Sequence, residues 1–520
     1  LKLLGCLVST VLLLHGCSGE EPRLRSLSLA LETAPNKLDP AFVVDVSEGI
    51  VSSLIYQGLV RFTPRGSVEP DAARSWEVAD GGTRYVFHLD TRMKFSNGRT
   101  VTAADVRYSV ERVLSPDGAS PRRWVFERIL GAQDYSDGSA ASVRGLDTPD
   151  DSTVVMTLDG PFHPFVMLLG MPSASIVPAE DAERLSDTPV GSGAWKVRQW
   201  ERGDRIVLVP NEFNPRHSRS LDDIEFRIIP EPFTRIAEFE SRTLDILHVP
   251  AAELDRFLGD PKQQGHLQRV TELRVTYVGL NNRHPVLKDK RVRRALNMAV
   301  DVDRMIQVLL DGQGTRAAGV IPPSLAGYRP RDPIPYDPAG ARRLLREAGV
   351  AEGFPIEIWQ RESPEGDLLC EAIQGYLKQV GIDARLVKRE WSAFKEAVSR
   401  GKVDAFLLDW YADYPDAENF LYPLFDSRNM GGGGNRAFFR NPAVDSLIEL
   451  SQRAADEQQT ARLYAAADSL VYDEAPWIFL YFPVSVYAIA PEVEGYEASV
   501  MYLGEDYTGV RKVAPANRED

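Results

Sequence analysis

The chemistry in this sequence gathers in one run, Asp404-Ala405-Phe406-Leu407-Leu408-Asp409-Trp410-Tyr411-Ala412-Asp413-Tyr414-Pro415-Asp416. Its first half is an apolar stretch of strand length, and its second half is a polar, aromatic, proline-containing turn. A buried strand that empties into such a turn puts its last side chains at the mouth of a sheet, where ligands bind in open α/β folds. There Asp413 can offer a carboxylate to a cation or bond the backbone of its own turn. Trp410 and Tyr411 alternate sides of the strand end, so one faces a cleft and the other the core.

Signals for catalysis are absent from the rest of the chain. The seven histidines stand at 15, 88, 163, 217, 248, 266 and 284, and none forms a His-Glu-x-x-His pair. Gly191-Ser192-Gly193 is preceded by Pro189-Val190, so the glycine that a nucleophile elbow needs two residues before its serine is missing. Cys370 lies in an apolar helical pattern without a local basic partner and reads as a buried small hydrophobe. Asp150-Asp151 and Asp222-Asp223 sit in turn contexts and read as caps. Gly431-Gly432-Gly433-Gly434 lacks the Gly-Lys-Ser/Thr of a phosphate loop and reads as a flexible loop. No enzyme, cofactor or metal site is expected.

Composition narrows the class. The chain has 520 residues, 43% of them hydrophobic, and a formal charge of −15. It can build several cores, and it lacks the basic footprint of a nucleic-acid binder. An acidic surface is compatible with cationic or amine-bearing ligands. Lys2 followed by the apolar run Leu3 to Leu14 reads as an export signal, too short to span a bilayer comfortably. Leu14-His15-Gly16-Cys17 resembles the lipobox of bacterial lipoproteins, in which Cys17 would be lipidated and become the mature N-terminus. Leu1 in place of methionine suggests a non-standard or truncated start. Beyond Cys6 and Cys17 only Cys370 remains, so no disulfide is available to the mature chain.

The elements that must position Asp413 are legible in order. Arg25 to Glu32 alternates like a strand, with Leu27, Leu29 and Leu31 on one face. Val46 to Leu59 is amphipathic. Asp80-Gly81-Gly82 is a hairpin turn signal, and Thr102 with Asp105 opens a helix. Asp289 can cap a helix carrying Val292, Ala295, Leu296 and Ala299. Asp337-Pro338, then 339–348, then Gly349, is a helix with cap, first-position proline and glycine stop. Residues 356–359 and 382–387 read as strands, 368–380 and 393–398 as helices, and 405–410 as the strand before Asp413. Strands alternating with helices imply parallel βαβ units. Helices are expected from Asn441-Pro442 and over 459–472, and a strand over 476–482.

Several segments in register carry a family resemblance. Ile55-Tyr56-Gln57-Gly58-Leu59, Ala73-Arg74-Ser75-Trp76-Glu77-Val78, Phe87-His88-Leu89, Lys94-Phe95-Ser96-Asn97-Gly98 and Thr102-Ala103-Ala104-Asp105-Val106 resemble the solute-binding lipoproteins of peptide and nickel ABC importers, the extracellular solute-binding family 5. Pro189-Val190-Gly191-Ser192-Gly193-Ala194-Trp195-Lys196-Val197 is similar to that family's Gly-Thr-Gly-Pro-Tyr segment, with Ala-Trp in place of Pro-Tyr. Tyr277-Val278-Gly279-Leu280-Asn281-Asn282, with Leu287 to Leu296, is similar to its central region. The resemblance runs from about residue 26 to about residue 490.

It implies a two-lobed periplasmic-binding-protein fold of the α/β class, with a hinge and three domains. Residues 1–16 would be the signal peptide and 17–25 a lipid tether. Residues 26–60, 189–275 and 478–520 would form the core of one lobe, with 61–188 inserted, and 276–477 the other lobe. The protein would be a monomer, anchored by lipid in the periplasm or at the cell surface. It would capture peptides by lobe closure and pass them to an ABC permease. By the same resemblance Asp413 pairs with the ligand's α-amino group and Trp410 lines the pocket, with Tyr411 beside it. Glu32 and Thr33 stand where the first strand offers backbone from the opposite lobe, and Trp124 borders the pocket. Tyr56 belongs to the core, and Arg122 and Arg123 to a solvated face. An ammonium buried in a closed cleft must be paired. A general receptor holds what all peptides share, the amine and the backbone. A carboxylate turned to bulk water, or buried against a permanent arginine, would remove the reason to read a peptide receptor here. The alternatives are a non-peptide solute such as a nickel chelate, haem or a sugar, or a periplasmic chaperone or sensory adaptor. A hydrolase is the third.

Overall fold

The computed structural model describes residues 25–263, 265–454 and 456–513, so the expected export signal and Cys17 lie outside the described residues. The alternation at the start of the chain builds the strand Ser26–Leu31, with Leu27, Leu29 and Leu31 buried. It lies parallel to Asp223–Ile228, in register from Ser26 opposite Asp223 to Leu31 opposite Ile228. Arg205–Pro210 and Trp195–Glu201 complete a four-stranded sheet. Asp45 caps the helix Val46–Ile55, which runs out beside this sheet.

The next stretch forms a sheet of its own. Ala73–Ala79, Arg84–Leu89, Thr153–Thr157 and Leu146–Asp150 are antiparallel neighbours. The Asp80-Gly81-Gly82 turn joins the first two, with Asp80 and Gly81 at φ of +50° and +65°. Thr102 and Asp105 make a reciprocal capping box at the start of the helix Ala103–Leu114.

A larger, mixed sheet carries a further set of parallel strands. The sheet order is Ile246–His248, Trp477–Ile489, Arg274–Leu280, Ala405–Tyr411, Phe354–Arg361, Ile382–Arg389. Ala405–Tyr411 runs parallel to Phe354–Arg361 and antiparallel to Arg274–Leu280. Alternation along these strands feeds two cores. Val278, Leu280, Ile358 and Ile478 pack with the helices Lys290–Ala299 and Pro364–Gln379. Tyr277, Phe406 and Trp477 face the larger core, where the Tyr277 and Trp477 rings stack with centroids 3.5 Å apart. Each such side chain contributes about 1.5–3 kcal/mol on burial.

Several expected elements shift. The Asp337 cap, Pro338 and Gly349 bound a helix as read, Pro338–Glu347. The helix expected from residue 368 begins instead at Pro364, because Ser363 caps it by accepting from the Gly366 amide. Gly431–Gly433 is a turn of 3-10 helix rather than an open loop. The strand expected to end at Phe482 continues to Ile489. Its first part pairs with Arg274–Leu280 and its second with Leu267–Thr271. Pro483, which has no amide hydrogen to donate, stands where the partner changes. One strand thus joins the ladder of Arg274–Leu280 to that of Leu267–Thr271.

Gly191 and Gly193 have a packing role. A Cβ on Gly193 would stand 2.3 Å from the Leu54 carbonyl oxygen, and one on Gly191 2.2 Å from that of Ile55. Ser192 between them is fully buried. Gly193→Ala is expected to lower the unfolding free energy by about 1–3 kcal/mol, seen as an earlier thermal melt by circular dichroism. Gly375→Ala, in a helix with open space around the added carbon, should leave the melt unchanged or raise it.

Candidate functional site

The strands Phe354–Arg361, Ile382–Arg389 and Ala405–Tyr411 point their carboxyl ends the same way. The turn after Ala405–Tyr411 is held by its own backbone and one asparagine. Ala412 donates to the Leu273 carbonyl at 2.9 Å, and the Asp413 amide donates to Asn419 Oδ1 at 2.9 Å. Trp410 faces the large core and its Nε1 donates to the same Asn419 oxygen at 3.3 Å. Asp416 accepts from the Glu418 amide at 2.8 Å at the start of the helix Glu418–Phe425. These bonds fix the turn, and the Asn419 side chain also acts on the Asp413 carboxylate.

That carboxylate meets an arginine from the other lobe. Arg122 Nη1 lies 3.4 Å from Asp413 Oδ1, and the two side chains are 17% and 21% exposed. Arg122 Nε donates to the Val43 carbonyl at 3.1 Å. Arg122 is therefore not on a solvated face, as its polar Arg-Arg context suggests: the lobe junction covers it. Arg123 is half-buried, and its Nη2 donates to the Ser115 carbonyl at 2.6 Å. Burial pushes the Asp413 carboxyl above the usual carboxylate range, and Arg122 and Asn419 offset this only in part. The charges of Asp413, Arg122 and Asp45 all bear on the half-buried Tyr502 phenol, which places them in one neighbourhood. Thr33 joins it, with Oγ1 at 2.8 Å from Ser47 Oγ and 3.4 Å from Asp45 Oδ1. Trp124 packs on the turn, its ring centroid 6.4 Å from that of Tyr414.

Tyr411 and Glu32 belong to an adjoining cluster. Tyr411 is 40% exposed on the opposite strand face from Trp410. The Arg274 guanidinium lies over its ring at 4.8 Å and donates to its hydroxyl. Arg274 also pairs with Glu272 at 3.2 Å. Ser485 Oγ donates to Glu272 and lies 3.1 Å from His248 Nε2. Desolvation by the surrounding protein lowers the His248 pKa although its side chain reaches the surface, and Glu272 and Glu32 act on it in the other direction. Glu32 itself pairs with Arg235 at 3.0 Å. Trp391, 46% exposed, opens the helix that follows Ile382–Arg389 at the same sheet edge.

Asp413, Trp410, Thr33 and Trp124 are thus brought together, and Tyr411 and Glu32 face the neighbouring cluster. Tyr56 is buried in the core as expected. Arg274, His248, Trp391 and Tyr502 were not read from the sequence. Arg274 and Trp391 each had a signal, a strand's first residue and a helix's first residue at the ligand edge of a sheet. Among the described residues no group of His, Cys, Asp and Glu could hold a metal ion. Burial pushes the Cys370 thiol up to about 12, so it is inert.

Comparison with known proteins agrees with this architecture. The family described as bacterial extracellular solute-binding proteins, family 5 Middle, matches residues 67–432. Heme-binding protein A of Haemophilus influenzae is 30% identical over 495 residues, covering 90% of this chain and 88% of that protein. The probable D,D-dipeptide-binding periplasmic protein DdpA of Escherichia coli is 29% identical over 478 residues, covering 89% of each. The periplasmic binding protein DppA of Helicobacter pylori, solved in complex with the peptide STSA, superimposes with a TM-score of 0.79. It is 26% identical, and the match covers 94% of this chain and 98% of that one.

Beneath the turn, Tyr414 donates to Glu418, and Gln452 donates to its other oxygen at 2.6 Å. Burial pushes Glu418 up to about 7, with Asp416 and Asp426 adding to the rise. The folded chain then keeps a proton that an unfolded glutamate has released. Its contribution to stability is fully present below the ordinary glutamate pKa and is lost as pH rises through about 7. Denaturant titrations across this range should show stability falling as pH rises, and Glu418→Gln should flatten that slope.

Proposed function

Because this chain belongs to the bacterial extracellular solute-binding proteins of family 5, which bind and do not catalyse, we propose that it captures peptides between its two lobes. It hands them to the permease of an ABC importer. One observation carries the reading: a carboxylate at the carboxyl ends of the three parallel strands of a mixed sheet, largely taken from water, whose counter-ion comes from the opposite lobe at 3.4 Å. A ligand cation held there favours lobe closure only through the contacts it makes with both lobes, which must outweigh the cost of taking the charges out of water. The probable dipeptide specificity of DdpA and the peptide held by DppA support a peptide as that cation's carrier.

Asp413 receives the α-ammonium in this reading. The largely buried arginine beside it counts against this role on the criterion set by the sequence; what supports the role is that the single contact, at 3.4 Å, is longer than the 2.7–2.9 Å typical of a charge-assisted bond and leaves the carboxylate capacity for a ligand. Trp410 braces Asn419 behind the turn. Thr33, Trp124, Tyr411 and Glu32 line the walls. Residues 26–60, 189–275 and 478–520 form one lobe with 61–188 inserted, and 276–477 the other. The hinge lies at Glu272–Leu273 and around Pro483. Closure is favoured only by contacts the ligand makes with both lobes. The protein works as a monomer held to the membrane through lipid on Cys17.

Calorimetry with free and N-acetylated peptides tests the amine role. Free peptides should bind and acetylated ones should not, and Asp413→Asn should abolish the difference. Ligand at a hundred times its dissociation constant should add about 2.7 kcal/mol of stability, and the substitution should remove most of it. Equal binding of both peptide forms by the unaltered protein would end this reading. Native mass spectrometry of the purified protein would identify a carried-over ligand. For the anchor, Cys17→Ser should move the protein from the membrane pellet to the soluble fraction.

A further inference from the structure

The Arg122–Asp413 pair has a consequence for which ligand heads fit, and it rests on the peptide-capture reading. Both charges are largely removed from water. Arginine cannot shed its proton to escape that state. A ligand ammonium that takes over the Asp413 carboxylate therefore leaves a cation behind, and an unpaired buried charge is strongly unfavourable.

Arg122 is not placed to swing clear. Its Nε is held by the Val43 carbonyl at 3.1 Å, and its backbone amide donates to Ser120 Oγ at 3.2 Å. Ser120 in turn donates to the Ala41 carbonyl at 2.6 Å. The Arg122 Nη2 has no partner among the described residues. Asp45, the other acid in this neighbourhood, already accepts from the Ser47 amide at 2.9 Å as a helix cap. The guanidinium thus stays at the junction with a donor to spare, one loose contact from Asp413.

We infer that the site selects a ligand head carrying an ammonium and a free carboxylate close together, the ammonium going to Asp413 and the carboxylate to Arg122. One neutral pair then exchanges for two well-paired charges, and no net charge is brought into the junction. An ordinary peptide amino terminus meets only half of this, because its α-carboxyl is tied into the peptide bond. Two heads meet all of it. One is an amino acid joined to the remainder through its side-chain carboxyl, so that its α-amino and α-carboxylate groups are both free. The other is an ordinary peptide with an acidic first side chain.

Calorimetry with five small probes separates these. γ-Glutamylalanine carries both charges on one carbon. γ-Aminobutyrylalanine lacks only the α-carboxylate, and glutarylalanine lacks only the amine. Aspartylalanine carries its carboxylate one carbon further out, and alanylalanine has no carboxylate near its amine. At least one of γ-glutamylalanine and aspartylalanine should bind about tenfold or more tighter than the other three, as expected when a hydrogen bond to a buried charge is gained. The better of the two identifies the source of the carboxylate. Arg122→Gln should erase the advantage over γ-aminobutyrylalanine and keep that over glutarylalanine. Asp413→Asn should do the reverse, and Arg122→Lys should fall between. The wild-type ranking needs no variant to fold. If alanylalanine binds as tightly as both doubly charged heads, this inference is overturned and peptide capture stands. If none of the five binds, both fall.

Discussion

A carboxylate taken out of water must be given positive charge or a set of donors, and the lobe junction is organised by how little of either Asp413 receives. The structure is not short of good pairings. Asp426, fully buried, accepts from Arg428 at 2.9 and 2.7 Å through both oxygens. Asp39 is gripped by both terminal nitrogens of Arg112. Asp416 accepts a backbone amide at 2.8 Å. Asp413 has one arginine nitrogen at 3.4 Å and the Asn419 side chain, which together offset its burial only in part. Acids that hold the fold together are paired closely, and the acid at the mouth of the sheet is left with capacity unused. That asymmetry is what supports the proposal of Asp413 as a binding group rather than a structural one.

The walls around it are polar without being strongly charged. Glu32 with Arg235 and Glu272 with Arg274 neutralise one another, and Thr276 donates to Asp409 at 2.6 Å. Such a surface offers hydrogen bonds and an aromatic face at Tyr411 to a polar ligand. It does not impose a net field that would demand one sign of side chain. Specificity then falls on the few groups that are incompletely paired, because discrimination is strongest where a wrong ligand leaves a buried polar group alone.

Much of the scaffold could be read from local pattern, because caps, stops and alternation are local chemistry. Asp337, Pro338 and Gly349 delimit a helix whatever surrounds them, and the Leu27-Leu29-Leu31 face is buried as its spacing implies. The strand-then-turn grammar before Asp413 was equally plain. What escaped depended on distant partners. Arg122 sits in a polar run that looks solvated, and it meets Asp413 across 291 positions of chain. Tyr502 lies in a tail with no periodic signal. Pro483 looks like a stop, since nothing local says that its strand merely changes neighbours there. Trp410 and Tyr411 could be assigned to opposite faces, but which face was the cleft depended on the packing of the whole sheet.

The strand Trp477–Ile489 makes the joint between the halves something closer to a leaf spring than to a pair of loose tethers. It is hydrogen-bonded on both sides of Pro483, to Arg274–Leu280 before and to Leu267–Thr271 after. Flexing can be absorbed where the ladder changes hands, while the rows on either side stay zipped. Two copies of the molecule could trade halves only by unzipping one of those rows. In a chain that opens at this joint, the same ladders would resist domain exchange with a crowded neighbour.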